Sequence, residues 1–158
     1  MKKALALTGV AMLLTGGVAA ASTNGAIVFN PLPGAHNPGS PAASLPLSDS
    51  TRAGDLLQLS GAIGNTKPGI PVVAGGIPAE ATQTMENVKA SLARQGLGMR
   101  NVFKCTVYTT DLTQLGGFNN VYSTYFAKGR MPARSAIGVS ALTLGAHVEV
   151  ECTALYPY

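Results

Sequence analysis

The pattern of apolar and polar positions predicts four strands and two helices after residue 54. Residues 79–95 carry apolar side chains at three- and four-residue steps, which predicts an amphipathic helix that Gly96 ends. Residues 102–110 alternate apolar and polar, which predicts a half-buried strand. The other predicted elements are strands at 55–61, 133–139 and 148–155 and a helical stretch at 111–126. This order indicates one α/β domain in which two helices cover one face of a sheet.

The faces of the predicted strands carry further information. The last two strands are expected to form a hairpin with a turn near Gly145. One face of the strand at 102–110 is apolar and comprises Phe103, Cys105 and Val107. The opposite face of the sheet mixes charged, polar and aromatic side chains, namely Lys104, Thr106, Tyr108, Glu149 and Glu151. That face is too polar for a core and too ordered for a plain surface, so we expect a subunit interface there.

The amino terminus predicts export. Lys2 and Lys3 precede an apolar run at 4–14, and small residues follow at 16–21, the layout of a signal peptide over residues 1–21. A buried amino-terminal helix is the alternative. Residues 22–44 are rich in Pro and Gly and predict an extended arm, which leaves 45–158 as the domain. The expected location is periplasmic or secreted, without stable membrane association, because no later run is long enough to span a bilayer.

Composition and charge narrow the classes of function. The chain has 158 residues, 46% of them hydrophobic, which is enough for one domain with a real core. Its 11 basic and 7 acidic residues are scattered, so no nucleic-acid footprint is visible. The cysteines and histidines lack zinc spacing, and both His36 and His147 are expected at surface or turn positions. The glycine-rich phosphate motifs GxGxxG and GxxxxGK are absent as well, so the residues predict no phosphate loop.

Arg134 is the strongest candidate for chemistry. A guanidinium between apolar residues of a strand is costly unless it meets an anion, and its planar fork suits a carboxylate. Glu149, expected on the neighbouring strand of the hairpin, either orients a water molecule or pairs with Arg134. The residues alone leave a substrate site and a structural ion pair equally open.

Several stretches together resemble the RidA (YjgF) family of reactive-intermediate deaminases. They are residues 53–61 (AGDLLQLSG), 85–92 (MENVKASL), 101–112 (NVFKCTVYTTDL), Asn119 with Tyr122, Tyr125 and Phe126, 132–135 (PARS) and 148–154 (VEVECTA). The resemblance implies a chorismate-mutase-like α+β fold, a homotrimer and sites between subunits. It also implies hydrolysis of 2-imino acids or their enamine tautomers to 2-keto acids and ammonia, without a metal or cofactor.

The resemblance also implies roles for individual residues. Arg134 would bind the substrate carboxylate and Glu149 would position the attacking water. The expected substrate-binding residues are Ser60, Gly61, Asn119 and Ala136, the last of which stands where many members have Cys. One departure concerns Leu47, which stands where many deaminating members have Tyr.

Two matters stay open at this point. The alternative function is a non-catalytic binding protein for small 2-keto acids in the cleft between subunits, with a holdase-like role ranked last. In the family fold Cys105 and Cys152 lie on neighbouring strands, and an oxidising compartment permits a disulfide between them. The demanding geometry of a cross-strand disulfide favours two buried free thiols instead.

Overall fold

The computed structural model describes residues 26–157, so the predicted signal peptide lies outside the described residues. Their helices and strands are β1 (Ile27–Pro31), β2 (Ser48–Ala53), β3 (Leu56–Leu59), β4 (Ala62–Ile63), α1 (Gly76–Arg94), β5 (Val102–Thr109), α2 (Leu115–Tyr122), β6 (Ala133–Gly138) and β7 (Val148–Leu155). Short 3-10 turns extend or join them at Pro41–Ser44, Met99–Asn101, Leu112–Gln114, Ser123–Tyr125 and Thr143–Gly145. None of the described helices is long and apolar enough to cross a membrane.

The strands form one mixed sheet with the order β1-β2-β3-β7-β5-β6. The short strand β4 also pairs with β7, next to the segment of β7 that pairs with β3. Only β5 and β6 run parallel among the pairs of described strands. The apolar face of α1 packs on the sheet beside α2, and the buried side chains include Met85, Val88, Leu92, Val107, Phe118, Val148 and Val150. The predicted α+β fold with two helices on a mixed sheet is therefore confirmed.

The predicted hairpin between the last two strands is wrong. β5 lies between them, pairing in parallel with β6 and antiparallel with β7. Parallel neighbours need a crossover, and α2 supplies it between β5 and β6. The chain from Val139 to His147 then passes across the end of β5 to reach β7. Arg134 and Glu149 consequently lie on different neighbours of β5.

The predicted face assignment of Phe103 is also wrong. The ladder between β5 and β7 shifts register between Val102 and Lys104. This irregularity places Val102 in the core and leaves Phe103 47% exposed. A bulge interrupts the two-residue alternation, and that alternation had predicted a core position for Phe103.

Cys105 and Cys152 form a disulfide, so the expectation of two free thiols is wrong. The two residues face each other directly across the β5–β7 ladder, with their Cα atoms 4.1 Å apart. Both point into the core, where each is 1% exposed. The exact register, which the sequence does not reveal, brings the sulfurs together.

Candidate functional site

Arg134 lies on the helix-facing side of β6, in register with the buried Cys105. Its Nη1 donates a hydrogen bond of 2.7 Å to Oδ1 of Asn119 on α2. The guanidinium carbon also lies 4.9 Å from the centroid of the Tyr122 ring, within the range of a cation–π contact. The amide and the ring thus hold the guanidinium beside the exposed edge strand β6.

Tyr122 packs its ring against the Arg134 guanidinium. It is 4% exposed, and its hydroxyl has no hydrogen-bond partner among the described residues. Burial raises the pKa of Tyr122 to about 12, against the opposing effect of the Arg134 charge. The phenol therefore stays neutral at ordinary pH and contributes its ring face rather than a charge.

Glu149 lies away from Arg134, in a pocket of about 710 Å³ that it lines together with Ser60, Gly61 and Leu47. A Cβ atom added to Gly61 would overlap a carboxylate oxygen of Glu149. Any larger residue at this position would therefore force the Glu149 side chain to move, because the carboxylate lies directly against the Gly61 backbone. The Ser60 hydroxyl donates a 2.7 Å hydrogen bond to the carbonyl of Ser48 and is thereby oriented at the pocket wall.

The protonation of Glu149 is shifted by its surroundings. Burial raises the pKa of this carboxyl, and the neighbouring Glu151 raises it further. Both effects disfavour the negative charge. Glu151 in turn accepts a 3.3 Å hydrogen bond from the Tyr108 hydroxyl. The carboxylate of Glu149 is therefore a stronger base than an ordinary glutamate.

The candidate residues fall into two groups. Ser60, Gly61 and Glu149 line one pocket, whereas Arg134 and Asn119 meet on the helix face of the sheet. Ala136 follows Arg134 by two residues on β6, so it shares that face, and it is exposed. Glu149 instead alternates with the buried Val148 and Val150 and faces away from the helices. No ion pair joins Arg134 to Glu149 within residues 26–157, so the structural pair left open above does not form in this chain.

The structure also brings in residues that no pattern along the chain had singled out. The buried Asp49 of β2 accepts hydrogen bonds of 2.7 Å and 3.2 Å from Arg94 of α1 and one of 2.9 Å from Ser91, at the edge of the Glu149 pocket. Glu80 of α1 is 1% exposed and accepts hydrogen bonds from the backbone and Nδ1 of His147. His147 lies at the surface as predicted, but it also tethers the start of β7 to α1.

Other segments line the Glu149 pocket as well. Leu32 and Pro33 come from the arm, and Leu45 precedes β2. Sequence patterns could not identify them, because the arm shows only turn residues. Across residues 26–157, no group of three His, Cys, Asp or Glu side chains is placed to hold a metal ion.

The protein is thus a small α+β protein whose candidate functional residues lie on both faces of one sheet. The family described as endoribonuclease L-PSP matches residues 38–156. The chain therefore belongs to this family, the one identified above as the RidA (YjgF) family.

Individual relatives agree with this assignment. The chain is 38% identical to protein DfrA of Myxococcus xanthus over 122 residues, which are 76% of this chain and 92% of that protein. It is 36% identical to the 2-iminobutanoate/2-iminopropanoate deaminase of Mus musculus over 115 residues, or 73% and 84% of the two chains. The crystal structure of RidA from the Antarctic bacterium Psychrobacter matches with a TM-score of 0.67 and 31% identity, covering 74% of this chain and 93% of that one. The family thus includes proteins named as imine deaminases.

Proposed function

We propose that this protein hydrolyses 2-imino acids, or their enamine tautomers, to 2-keto acids and ammonia. The observation that carries the proposal is Glu149, a half-buried carboxylate with a raised pKa, held in a pocket against Gly61. A base in such a pocket can act on a bound water. The relatives named as deaminases of 2-iminobutanoate and 2-iminopropanoate support the choice of substrate.

The proposed site requires two subunits. Arg134 and Glu149 lie on opposite faces of one sheet, so one chain cannot offer both to one small substrate. A trimer, the assembly typical of this family, would bring Arg134 of one subunit to the pocket of the next. The face of β5 and β7 that carries Lys104, Tyr108 and Glu151 has no described helix over it, which supports its use as the interface.

In the proposed reaction Arg134 binds the substrate carboxylate through its planar fork. A protonated imine is already electrophilic, so the main need is a water held in line with the imine carbon. The water oxygen forms a bond to that carbon as Glu149 accepts its proton, and the C=N π electrons move to nitrogen. The product of this step is a neutral carbinolamine.

Collapse of the carbinolamine reverses the proton transfer. Glu149 gives its proton to the nitrogen, the C–N bond breaks, and the hydroxyl of the intermediate loses its proton to Glu149 as the keto group forms. Ammonia leaves and takes up that proton as ammonium, which restores the carboxylate. The raised pKa of Glu149 suits both directions, because a group that titrates closer to neutrality both accepts and returns a proton readily.

The test compares the wild type with Arg134→Ala on 2-iminobutanoate generated in the cuvette by an amino acid oxidase. The wild type is expected to accelerate formation of 2-oxobutanoate, and the variant to lose this acceleration. Arg100→Ala is the matched control, because Arg100 lies outside both groups of candidate residues and is expected to keep full activity. Equal rates for wild type and Arg134→Ala would refute the assignment of the carboxylate-binding residue.

We also propose that residues 1–21 direct export, so that the enzyme works in the periplasm or outside the cell. The disulfide between Cys105 and Cys152 supports an oxidising compartment, since such bonds persist there. Thiol titration of the denatured, unreduced protein isolated from the native host's envelope fraction is expected to find no free thiol. Full-length protein in the cytoplasmic fraction, with both thiols free, would contradict export.

A second function is favoured by Leu47. It lines the Glu149 pocket without offering a hydroxyl, which suits a protein that binds 2-keto acids without turnover. Calorimetric binding of 2-oxobutanoate, together with no acceleration of imine hydrolysis, would establish this alternative.

A further inference from the structure

The Glu149 pocket has an aliphatic wall. We use this name for Leu32, Pro33, Leu45, Leu47 and Leu144, all of which line the pocket. Leu45, Leu47 and Leu144 are 39%, 49% and 44% exposed, although leucine gains free energy when it is covered. Exposed leucines gathered around one cavity mark a surface that binds an apolar group.

Part of this wall comes from outside the region that matches the family. The family match begins at residue 38, whereas Leu32 and Pro33 precede it. The pairing of β1 with β2 fixes their position, and the side chain of Asn30 adds a 3.0 Å hydrogen bond to Ser50. A turn follows at once, closed by a 2.9 Å hydrogen bond from the Ala35 amide to the Leu32 carbonyl. The arm therefore presents Leu32 to the pocket on a fixed scaffold.

The polar side chains near the aliphatic wall are either hydrogen-bonded to other protein groups or exposed at the rim of the pocket. Arg94 is engaged by Asp49, and Asn87 donates both of its amide hydrogen bonds to the carbonyls of Ile63 and Asn65. Lys67 is the remaining cation of the lining, and it is exposed to solvent at the rim. In the single chain, before a neighbouring subunit closes it, the pocket measures about 710 Å³ and exceeds what a three-carbon imino acid fills.

From this wall, and resting on the proposed deaminase function, we infer that the enzyme selects 2-imino acids with branched or long aliphatic side chains. The carboxylate and the imine carbon of the substrate lie between Arg134 and Glu149, and its side chain covers Leu47 and Leu32. Each methylene that an apolar pocket recognises is worth roughly 10-fold or more in selectivity. The arm is then a specificity element added to the family domain.

The experiment measures kcat/KM for the imines that an amino acid oxidase forms from leucine, alanine and glutamate. The leucine imine is expected to exceed the alanine imine by at least about 10-fold. Leu32→Ser and Leu47→Ser are each expected to reduce this ratio several-fold while turnover of the alanine imine persists. Leu56→Ser is the matched control, because Leu56 is 46% exposed on β3 but does not line the pocket, and its ratio is expected to stay at the wild-type value.

Equal rates for the leucine and alanine imines would overturn the inference, as would a preference for the glutamate imine, which would assign the side-chain contact to Lys67. Failure of the proposed function itself has a different outcome, namely no turnover of any imine. The same preference is then measured by calorimetry as binding of 4-methyl-2-oxopentanoate against 2-oxopropanoate. Tighter binding of the larger keto acid supports the aliphatic wall, and equal affinity refutes it.

Discussion

At the scale of single residues, Glu149 is expected to have opposite effects on the proposed activity and on stability. The proposed chemistry needs its negative charge, while burial and Glu151 make that charge costly. Because the folded protein binds the proton more tightly than the unfolded chain, this group stabilises the fold only at low pH. Its contribution is lost as the pH rises from the ordinary glutamate pKa through the raised one.

Glu149→Gln is therefore expected to abolish imine hydrolysis and to increase the free energy of unfolding at neutral pH. The gain should vanish below the ordinary pKa of glutamate, where Glu149 is protonated in both states. Urea titrations of both proteins at neutral and at acidic pH measure this difference. Wild-type activity should fall with decreasing pH as Glu149 becomes protonated, and a variant less stable than wild type at neutral pH would contradict the account.

Gly61 offers a second test at this scale. A Cβ there overlaps the Glu149 carboxylate, so Gly61→Ala is expected to displace the base and reduce kcat/KM by about 10-fold or more. Gly98→Ala is the matched control, since nothing lies within 4 Å of its added Cβ and its φ of −140° suits any residue. If the two alanine variants retain the same activity, the close approach of Glu149 to Gly61 has no part in catalysis.

The sequence could indicate some of these residues but not others. Arg134 was recognisable because a cation in an apolar strand needs an explanation. Leu32 was not, since a leucine among prolines and glycines carries no periodic signal, and only the pairing of β1 with β2 brings it to the pocket. The inferred closeness of Arg134 and Glu149 within one chain failed because it depended on a hairpin that does not exist.

At the scale of secondary-structure elements, Asp49 connects β2 to α1. It is 7% exposed and accepts hydrogen bonds from both Ser91 and Arg94. Because the Arg94 side chain is 40% exposed, water replaces part of the lost interaction when the carboxylate is removed. Asp49→Ala is thus expected to lower the free energy of unfolding by about 2 kcal/mol.

Chemical denaturation of Asp49→Ala beside Asp55→Ala measures this effect. The side chain of Asp55 makes no hydrogen bond to another described residue, so its removal is expected to change stability by less than about 0.5 kcal/mol. Equal effects of the two substitutions would show that the contact between β2 and α1 adds nothing to the fold.

Elements with a clear apolar periodicity were predicted well, and elements without one were missed. The long periodic segment of α1 and the alternating β7 were predicted nearly to their bounds. β2 was missed because Ser48–Ala53 contains no apolar alternation, and its buried members are the polar Asp49 and Ser50. Which strands pair depends on long-range register, so neither the position of β5 between β6 and β7 nor the disulfide could be obtained from local pattern.

At the scale of the whole molecule, the two groups of candidate residues predict a complementation experiment. Arg134→Ala and Glu149→Gln should each be inactive when purified alone. Mixed trimers formed by co-refolding equal amounts should regain about a quarter of the wild-type activity, because a random interface joins two intact groups that often. The control is the double variant Arg134→Ala/Glu149→Gln, which is refolded by itself without any wild-type chain and should stay inactive.

The measurement follows formation of the 2-keto acid after co-refolding, alongside sedimentation to establish that trimers have formed. Mixed trimers without any recovered activity would refute a site shared between subunits. Recovery would assign Arg134 and Glu149 to neighbouring subunits and would also exclude a site completed within one chain.

The division of candidate residues between two faces also has an evolutionary consequence. If Arg134 and Glu149 of neighbouring subunits form one site as proposed, then after duplication of the gene one copy could lose Arg134 and the other Glu149 without loss of the reaction, provided that the two products assemble together. Each copy would then be retained because only the pair is active. A lone descendant that lacks either residue would therefore be read as an inactive relative, although its activity belongs to the heteromer.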